Sequence, residues 1–172
     1  MSNISVLKPA NRTAPSNVNR KVTRKPYKEL RSREYLTPDE VDLLMKAASS
    51  IGRHNHRDRT MILIGYRHAL RVTELISLRW DMVDLKSGLL NVSRLKNGVD
   101  SVHPIRGPEL RALRKLRKLY PDGPYLFVSE RGGPVTDSNV RKMIKRAGEL
   151  AQIGFLVHPL CVNLIPDTSC LR

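Results

Sequence analysis

The sequence predicts an α+β fold that is mainly helical and carries one small antiparallel hairpin. Helix-capping signals precede several stretches in which apolar residues recur at helical spacing. An Asn-Gly pair stands between two short apolar runs, which is a strong signal for a hairpin turn. The 172 residues, 40% of them hydrophobic, are enough for one domain of ordinary size with its own core.

The first helix has the clearest start. Thr37 can cap it, Pro38 suits its first position, and Glu40 three residues after the cap completes a capping box. Leu36 and Val41 are spaced to form the hydrophobic staple that accompanies this motif. We expect the helix to end near Gly52 and to bury Val41, Leu44, Met45 and Ala48.

Two more helices are predicted before the hairpin. A helix over about 58–70 is apolar on most sides, which is typical of a central, buried element. A shorter helix starts near Thr73 and runs through Trp80. The hairpin follows, with Leu90 and Val92 before the turn at Lys96-Asn97-Gly98 and Val99, Val102 and Ile105 after it.

The second half of the chain predicts two amphipathic basic helices joined by a short strand. The first covers 107–120, with Leu110, Leu113, Leu116 and Leu119 on one face. Residues 125–128 predict a buried strand, and 131–134 a turn. Thr136 then caps a helix with Val140, Met143, Ile144, Ala147 and Leu150 inward and Arg141, Lys142, Lys145 and Arg146 outward.

The charge balance predicts a polyanionic partner. Lys and Arg number 31 against 16 Asp and Glu, a net charge of +15, which is typical of nucleic-acid binding but does not separate DNA from RNA. Residues 1–34 form a basic arm without helical or strand periodicity, which we expect to be disordered when free. It either tracks DNA phosphates or serves only as a solubilising leader.

Membrane, cofactor and metal functions have no support in the sequence. No signal peptide and no long apolar run occur, so we expect a cytoplasmic protein with no membrane partner. Cys161 and Cys170 lack the spacing of a zinc site or a disulfide framework. We therefore expect no metal and no cofactor.

The segment from His68 to Trp80, HALRVTELISLRW, resembles the first signature of the tyrosine site-specific recombinases, the phage integrase family. The elements around it follow the order known in that family: a T-P-D-E helix, then the signature arginine, then a lysine-bearing hairpin. The resemblance covers 35–159, which we interpret as a partial catalytic domain. Its layout is similar to that of the short invertases that switch fimbrial genes.

This resemblance implies roles for three residues. Arg71 matches the arginine that neutralises charge on a DNA phosphate, and Lys96 matches the hairpin lysine that protonates the leaving oxygen. Glu74 matches an acidic residue that orients the arginine. Each also has a plainer interpretation: Arg71 as a helix-capping arginine, Lys96 as a surface charge, and Glu74 as an ordinary helix carboxylate.

DNA contacts are assigned to five further basic residues. Arg94 lies beside Lys96 but is too basic to act as a general acid. The outward residues of the last helix, Arg141, Lys142, Lys145 and Arg146, are expected to contact phosphates. The alternative is that they form a solvated helix face.

The resemblance stops at Pro159. His158-Pro159 matches the start of the second family signature, but Leu160 occupies the position of the catalytic histidine, and the second arginine is absent. None of the 5 tyrosines (Tyr27, Tyr35, Tyr66, Tyr120 and Tyr125) stands where the nucleophile belongs. Residues 160–172 resemble nothing in the family, so a frameshift or premature end, with the C-terminal helices missing, is our hypothesis.

Three functions remain open at this point. The first is a recombinase subunit for integration, excision or inversion that acts on double-stranded DNA with other recombinase protomers and receives its nucleophile from one of them. The second is a non-catalytic DNA-binding module that interferes with such an enzyme. The third, an RNA-binding protein, is less favoured because the chain has only 2 Phe and 1 Trp for base stacking.

Overall fold

The computed structural model describes residues 35–93 and 100–159. These residues contain five α-helices, α1 (Pro38–Ser50), α2 (Asn55–Arg67), α3 (Val72–Ser77), α4 (Gly107–Leu119) and α5 (Asp137–Leu150), and a short 3-10 helix (Trp80–Met82). Three short strands lie between α3 and α4: β1 (Val83–Asp84), β2 (Leu89–Val92) and β3 (Ser101–Pro104). The predicted fold class, mainly helical with a small antiparallel sheet, is confirmed. Across these two described ranges, no helix is long and apolar enough to cross a bilayer.

Helix α1 begins as its capping signals predict. The Thr37 side chain accepts a hydrogen bond from the Glu40 backbone N–H, and the Glu40 carboxylate accepts one from the Thr37 N–H at 2.9 Å. Leu36 and Val41, the two residues of the predicted staple, are both buried. The helix ends at Ser50, and Gly52 follows in the left-handed region with φ 74°.

Helix α2 is the central helix, in contact with α1, α3 and α4. It starts at Asn55, three residues before the predicted start at about Asp58, because polar side chains in its first turn hydrogen-bond to other elements of the fold. His56 Nε2 lies 2.9 Å from the Ala112 carbonyl oxygen, and Arg57 donates to the Val128 carbonyl oxygen at 2.7 Å. Contacts of this kind link residues distant in sequence, so helical periodicity does not reveal them.

The same helix ends at Arg67 and not at Leu70. Ala69 adopts a positive φ of 49°, and the Leu70 N–H donates back to the Gly65 carbonyl oxygen at 3.1 Å. This bonding pattern is a Schellman motif, whose left-handed position is usually glycine. Ala69 therefore holds a backbone conformation that costs an L-residue about 1–2 kcal/mol.

The predicted helix from Thr73 through Trp80 is too long. Helix α3 ends at Ser77, and Arg79 is extended, forming an isolated bridge with Tyr125. The Leu78 carbonyl oxygen accepts from the Leu126 N–H at 2.9 Å. Leu78 and Arg79 leave the helix because their backbone pairs with 124–126. The strand predicted over 125–128 is instead two isolated bridges, one between Tyr125 and Arg79 and one between Val128 and Pro134.

The sheet has the order β1-β2-β3 and is antiparallel throughout. Leu90 pairs with His103 and Val92 with Ser101, so these four residues share the inner face. Val102, which pairs with Asn91, lies on the opposite face and is 60% exposed. The predicted turn at Lys96-Asn97-Gly98 lies outside the described residues, and the two-residue strand β1 was not predicted.

Helices α4 and α5 bury the faces that their periodicity predicts, except at their ends. Leu113, Leu116, Val140, Ile144 and Ala147 are buried. Leu119 and Leu150 are instead 51% and 56% exposed, because each is the last residue of its helix and extends past the neighbouring elements. The predicted cap is confirmed: the Thr136 side chain accepts from the Asn139 N–H at 3.3 Å.

A segment returning from α5 packs against the same helix. Gly148 is buried, and a Cβ atom at this position would lie 2.7 Å from Val157 Cγ2. Only glycine therefore allows the chain around Val157 to come this close to α5. The close approach places His158 beside the first turns of the helix.

Replacing Ala69 with glycine should stabilise the protein. The side chain at this position is exposed, so its loss removes the left-handed strain, which the greater freedom of glycine in the unfolded chain partly offsets. We expect Ala69→Gly to raise the free energy of unfolding by about 0.5–1 kcal/mol in urea titrations. Ala112→Gly, a matched change inside α4, should lower it by about 1 kcal/mol. Equal destabilisation by both changes would contradict this account of the turn.

Candidate active site and nucleic-acid interface

Arg71 stands directly before α3, at the end of the turn that contains Ala69. Its backbone N–H donates to Glu74 Oε2 at 2.8 Å, and its Nη1 donates to Glu74 Oε1 at 3.0 Å. The Glu74 side chain is 1% exposed, whereas that of Arg71 is 58% exposed. One buried carboxylate thus fixes both the backbone and the guanidinium of Arg71 while leaving the guanidinium open to solvent.

This placement argues against a purely capping role for Arg71. A guanidinium has no hydrogen-bond acceptor, so it cannot satisfy the free N–H groups at a helix start. A cation at this end also opposes the helix dipole. The carboxylate of Glu74 provides the favourable charge there, and the remaining guanidinium N–H groups can bind an external oxyanion.

Lys96 and Arg94 lie outside the described residues. Both belong to the segment that joins β2, which ends at Val92, to β3, which begins at Ser101. Their roles as general acid and DNA contact therefore stay predictions from the sequence.

The four basic residues of α5 fall into two pairs. Arg141 binds Asp137 through Nε at 3.0 Å, and its Nη1 lies 2.7 Å from His158 Nε2. Lys145 lies 3.8 Å from Glu149. Both charges are therefore partly neutralised by carboxylates on their own helix. The sequence places these residues at i,i+4 spacing but does not show that the ion pairs form.

Lys142 and Arg146 lie on the other flank of α5, against a cavity of about 570 Å³. Arg131 lines the same cavity, as do His54 and Arg57 from the start of α2. Among the residues that the structure describes, Lys142 and Arg146 form no ion pair. The sequence did not predict this basic cavity because Arg131, Lys142 and Arg146 come together only in the folded chain. Arg131, next to the Gly132-Gly133 turn, was the only nearby basic residue that could have indicated it.

Acidic groups only partly offset this positive charge. Asp58 and Glu130 also line the cavity, and Arg57 binds Asp58 at 2.7 Å. Arg131, Lys142 and Arg146 are exposed. We therefore regard these three residues as the free cationic surface of the cavity.

His158 is half-buried and contacts α5. Because Arg141 donates to its Nε2, that nitrogen carries a lone pair in this arrangement. His158 therefore helps to position Arg141. Within 35–93 and 100–159, no group of three or more His, Cys, Asp or Glu side chains is arranged to hold a metal ion.

Tyr66, Tyr120 and Tyr125 make contacts that stabilise the fold. The Tyr120 hydroxyl lies 2.6 Å from His54 Nδ1, and burial raises the pKa of this hydroxyl above its usual value. The Tyr125 ring lies beneath the Arg79 guanidinium at 5.9 Å, and Tyr66 packs against the core. None of these contacts brings the ring of Tyr66, Tyr120 or Tyr125 next to Arg71.

Comparison with known proteins places this arrangement in a family. Residues 34–160 match the model described as "Phage integrase family". The type 1 fimbriae regulatory protein FimE of Escherichia coli K12 is 34% identical over 133 residues, covering 74% of this chain and 67% of FimE.

Solved structures agree. The crystal structure of XerA recombinase superposes with a TM-score of 0.66 at 30% identity, covering 75% of this chain and 47% of that one. The lambda integrase catalytic core shares the fold, with a TM-score of 0.63 at 22% identity and coverage of 76% and 82%. This chain thus spans about two thirds of FimE and less than half of XerA. The chain belongs to the phage integrase family of tyrosine recombinases.

Proposed function

We propose that this chain binds double-stranded DNA as a subunit of a site-specific recombinase and that these 172 residues do not complete strand cleavage alone. The observation that carries the proposal is the exposed guanidinium of Arg71, held by the buried carboxylate of Glu74. Family membership supplies the reaction class, and this geometry supplies a phosphate-binding group.

Arg71 binds a DNA phosphate through its free N–H groups. Attack on a phosphodiester builds negative charge on the non-bridging oxygens, and a guanidinium fixed in advance stabilises that charge without first having to be ordered. Glu74 provides the fixing contact. In this proposal Lys96 protonates the leaving oxygen, and Arg94 contacts the backbone nearby.

The basic cavity beside α5 extends the interface. Arg131, Lys142 and Arg146 present free charge to the DNA backbone, while Arg141 and Lys145 contribute less because Asp137 and Glu149 already bind them. The lambda integrase structures include a dimer bound to core-site DNA. We propose the same class of partners here: duplex DNA and further recombinase protomers.

A tyrosine at the position of the family's nucleophile is absent from these 172 residues. No tyrosine follows Tyr125 in the 172 residues, and Leu160 follows His158-Pro159. Without a nucleophile the covalent step cannot occur. We therefore propose that these 172 residues take part in cleavage only with a nucleophile supplied from outside them, by a partner protomer for example, and that without it they occupy DNA sites and interfere with a complete recombinase.

Removing the guanidinium should weaken DNA binding. By fluorescence anisotropy on a labelled duplex, we expect Arg71→Ala to raise Kd about tenfold and to reduce the salt slope by about 1, because one charge-assisted contact is lost. Arg71→Lys should recover only part of the affinity, since it keeps the charge but loses the fork.

The matched control is Lys118→Ala, which removes one exposed charge from α4 and should change Kd less than about twofold. An equal effect of both alanine variants would show that only net charge matters. Tighter binding to an RNA duplex than to DNA would contradict the proposed partner.

The four basic residues of α5 should differ in their effects. We expect Lys142→Ala and Arg146→Ala each to raise Kd for DNA about threefold to tenfold, because each removes an unpaired charge. Lys145→Ala should have a smaller effect, since Glu149 already binds that ammonium. If all three substitutions had equal effects, the ion pairs would not determine the DNA-binding face.

A suicide DNA substrate tests the need for a partner. The 172-residue chain alone should form no covalent adduct in denaturing gels. Mixed with a full-length relative whose Arg71 equivalent is replaced, it should restore adduct formation if it is a complementing subunit. Mixed with an unmodified relative, it should reduce adduct formation if it interferes. Covalent capture of the chain by itself would contradict the proposal.

A further inference from the structure

A buried contact between two polar side chains lies close to Arg71 but does not touch it. His68 Nε2 and Glu109 Oε1 are 2.8 Å apart, and their side chains are 4% and 1% exposed. The distance is short enough for a hydrogen bond, although the ring nitrogen and the carboxylate oxygen are not aligned for one of good geometry, and neither atom has another hydrogen-bond partner among the described residues. We propose that this pair positions Arg71 for phosphate binding, an inference that rests on the proposed function.

The pair acts on Arg71 through the turn that precedes it. His68 terminates α2, its N–H donating to the Ile64 carbonyl oxygen at 3.1 Å, and only Ala69 and Leu70 separate it from Arg71. Ala69 is strained at φ 49° and exposed, so its own side chain does not anchor the turn. The anchors are the buried Leu70 on one side and the contact of His68 with Glu109 on the other.

Glu109 is itself firmly held. It occupies the first turn of α4, where its Oε2 accepts from the Arg106 N–H at 2.8 Å, and the residue is 0% exposed. The carboxylate thus connects the start of α4 to the end of α2. A displacement of α4 would therefore move His68 and, with it, the turn that positions Arg71.

The hairpin joins the same cluster. The His103 ring of β3 meets the His68 ring edge-on, with centroids 5.2 Å apart. His103 lies on the inner face of the sheet, opposite Leu90 of β2. Strand β3, which follows the segment containing Lys96, therefore contacts the histidine that anchors the Arg71 turn.

Stability alone does not explain a buried pair at this position. Removing a carboxylate and an imidazole from water is costly, and apolar residues of similar size often stabilise a protein equally well. A buried polar pair differs because a small slip of the turn against α4 separates its two atoms and leaves each buried without any partner, whereas apolar side chains tolerate such slips. Fixing the register is what phosphate recognition by Arg71 requires.

A double-mutant cycle on DNA affinity separates positioning from stability. We expect Arg71→Ala to weaken binding about tenfold in the otherwise unchanged chain but less than about threefold in a Glu109→Gln background, because Arg71 is already misplaced there. Glu109→Gln keeps the shape of the side chain and an acceptor for the Arg106 N–H while removing the charge.

The matched control is Asp58→Asn, which neutralises the other well-buried pair, Arg57 with Asp58, at 12% side-chain exposure on both partners. In that background Arg71→Ala should still cost about tenfold, as it does in the unchanged chain. Additive effects of Glu109→Gln and Arg71→Ala would overturn the positioning role. No effect of Arg71→Ala in the unchanged chain would instead overturn the proposed function itself.

A second pair of variants covers the case in which Glu109→Gln does not fold, as judged by circular dichroism. His68→Gln retains an N–H donor toward Glu109 and should preserve the tenfold cost of Arg71→Ala, whereas His68→Leu should reduce it. Equal costs in the two backgrounds would overturn the inference.

Discussion

The contact between Arg71 and Glu74 is the constraint around which the rest of the site is arranged. A carboxylate that is almost fully buried must be hydrogen-bonded, and here the backbone N–H and the guanidinium of Arg71 each bond to one of its oxygens. Burial of Glu74 and exposure of Arg71 are thus parts of one arrangement. The fold places a fixed cation at its surface by burying the anion that holds it.

The surrounding elements maintain this arrangement. Helix α2 ends in a left-handed turn at Ala69, which reverses the chain so that Arg71 can precede α3. The buried Leu70 and the contact of His68 with Glu109 hold the two sides of that turn. Strain at one exposed alanine is tolerated because buried contacts on both sides over-determine its conformation.

Local chemistry made much of the fold predictable. The caps at Thr37 and Thr136 and the pairing of Leu90 and Val92 with a second strand follow from neighbouring residues alone. The early start of α2 and the short α3 depend on distant partners, which periodicity does not reveal. In the same way, the signature predicted the closeness of Arg71 and Glu74, whereas the cavity shared by Arg131, Lys142 and Arg146 required the folded chain.

The central claim is that Arg71 is a preformed phosphate-binding group. A crystal structure of the 172-residue chain bound to a DNA duplex tests it most directly. The account predicts a non-bridging phosphate oxygen within hydrogen-bonding distance of the Arg71 guanidinium, with the contact to Glu74 retained and the Ala69 turn unchanged. A complex in which Arg71 faces away from the DNA, or leaves Glu74 to reach it, would contradict the account.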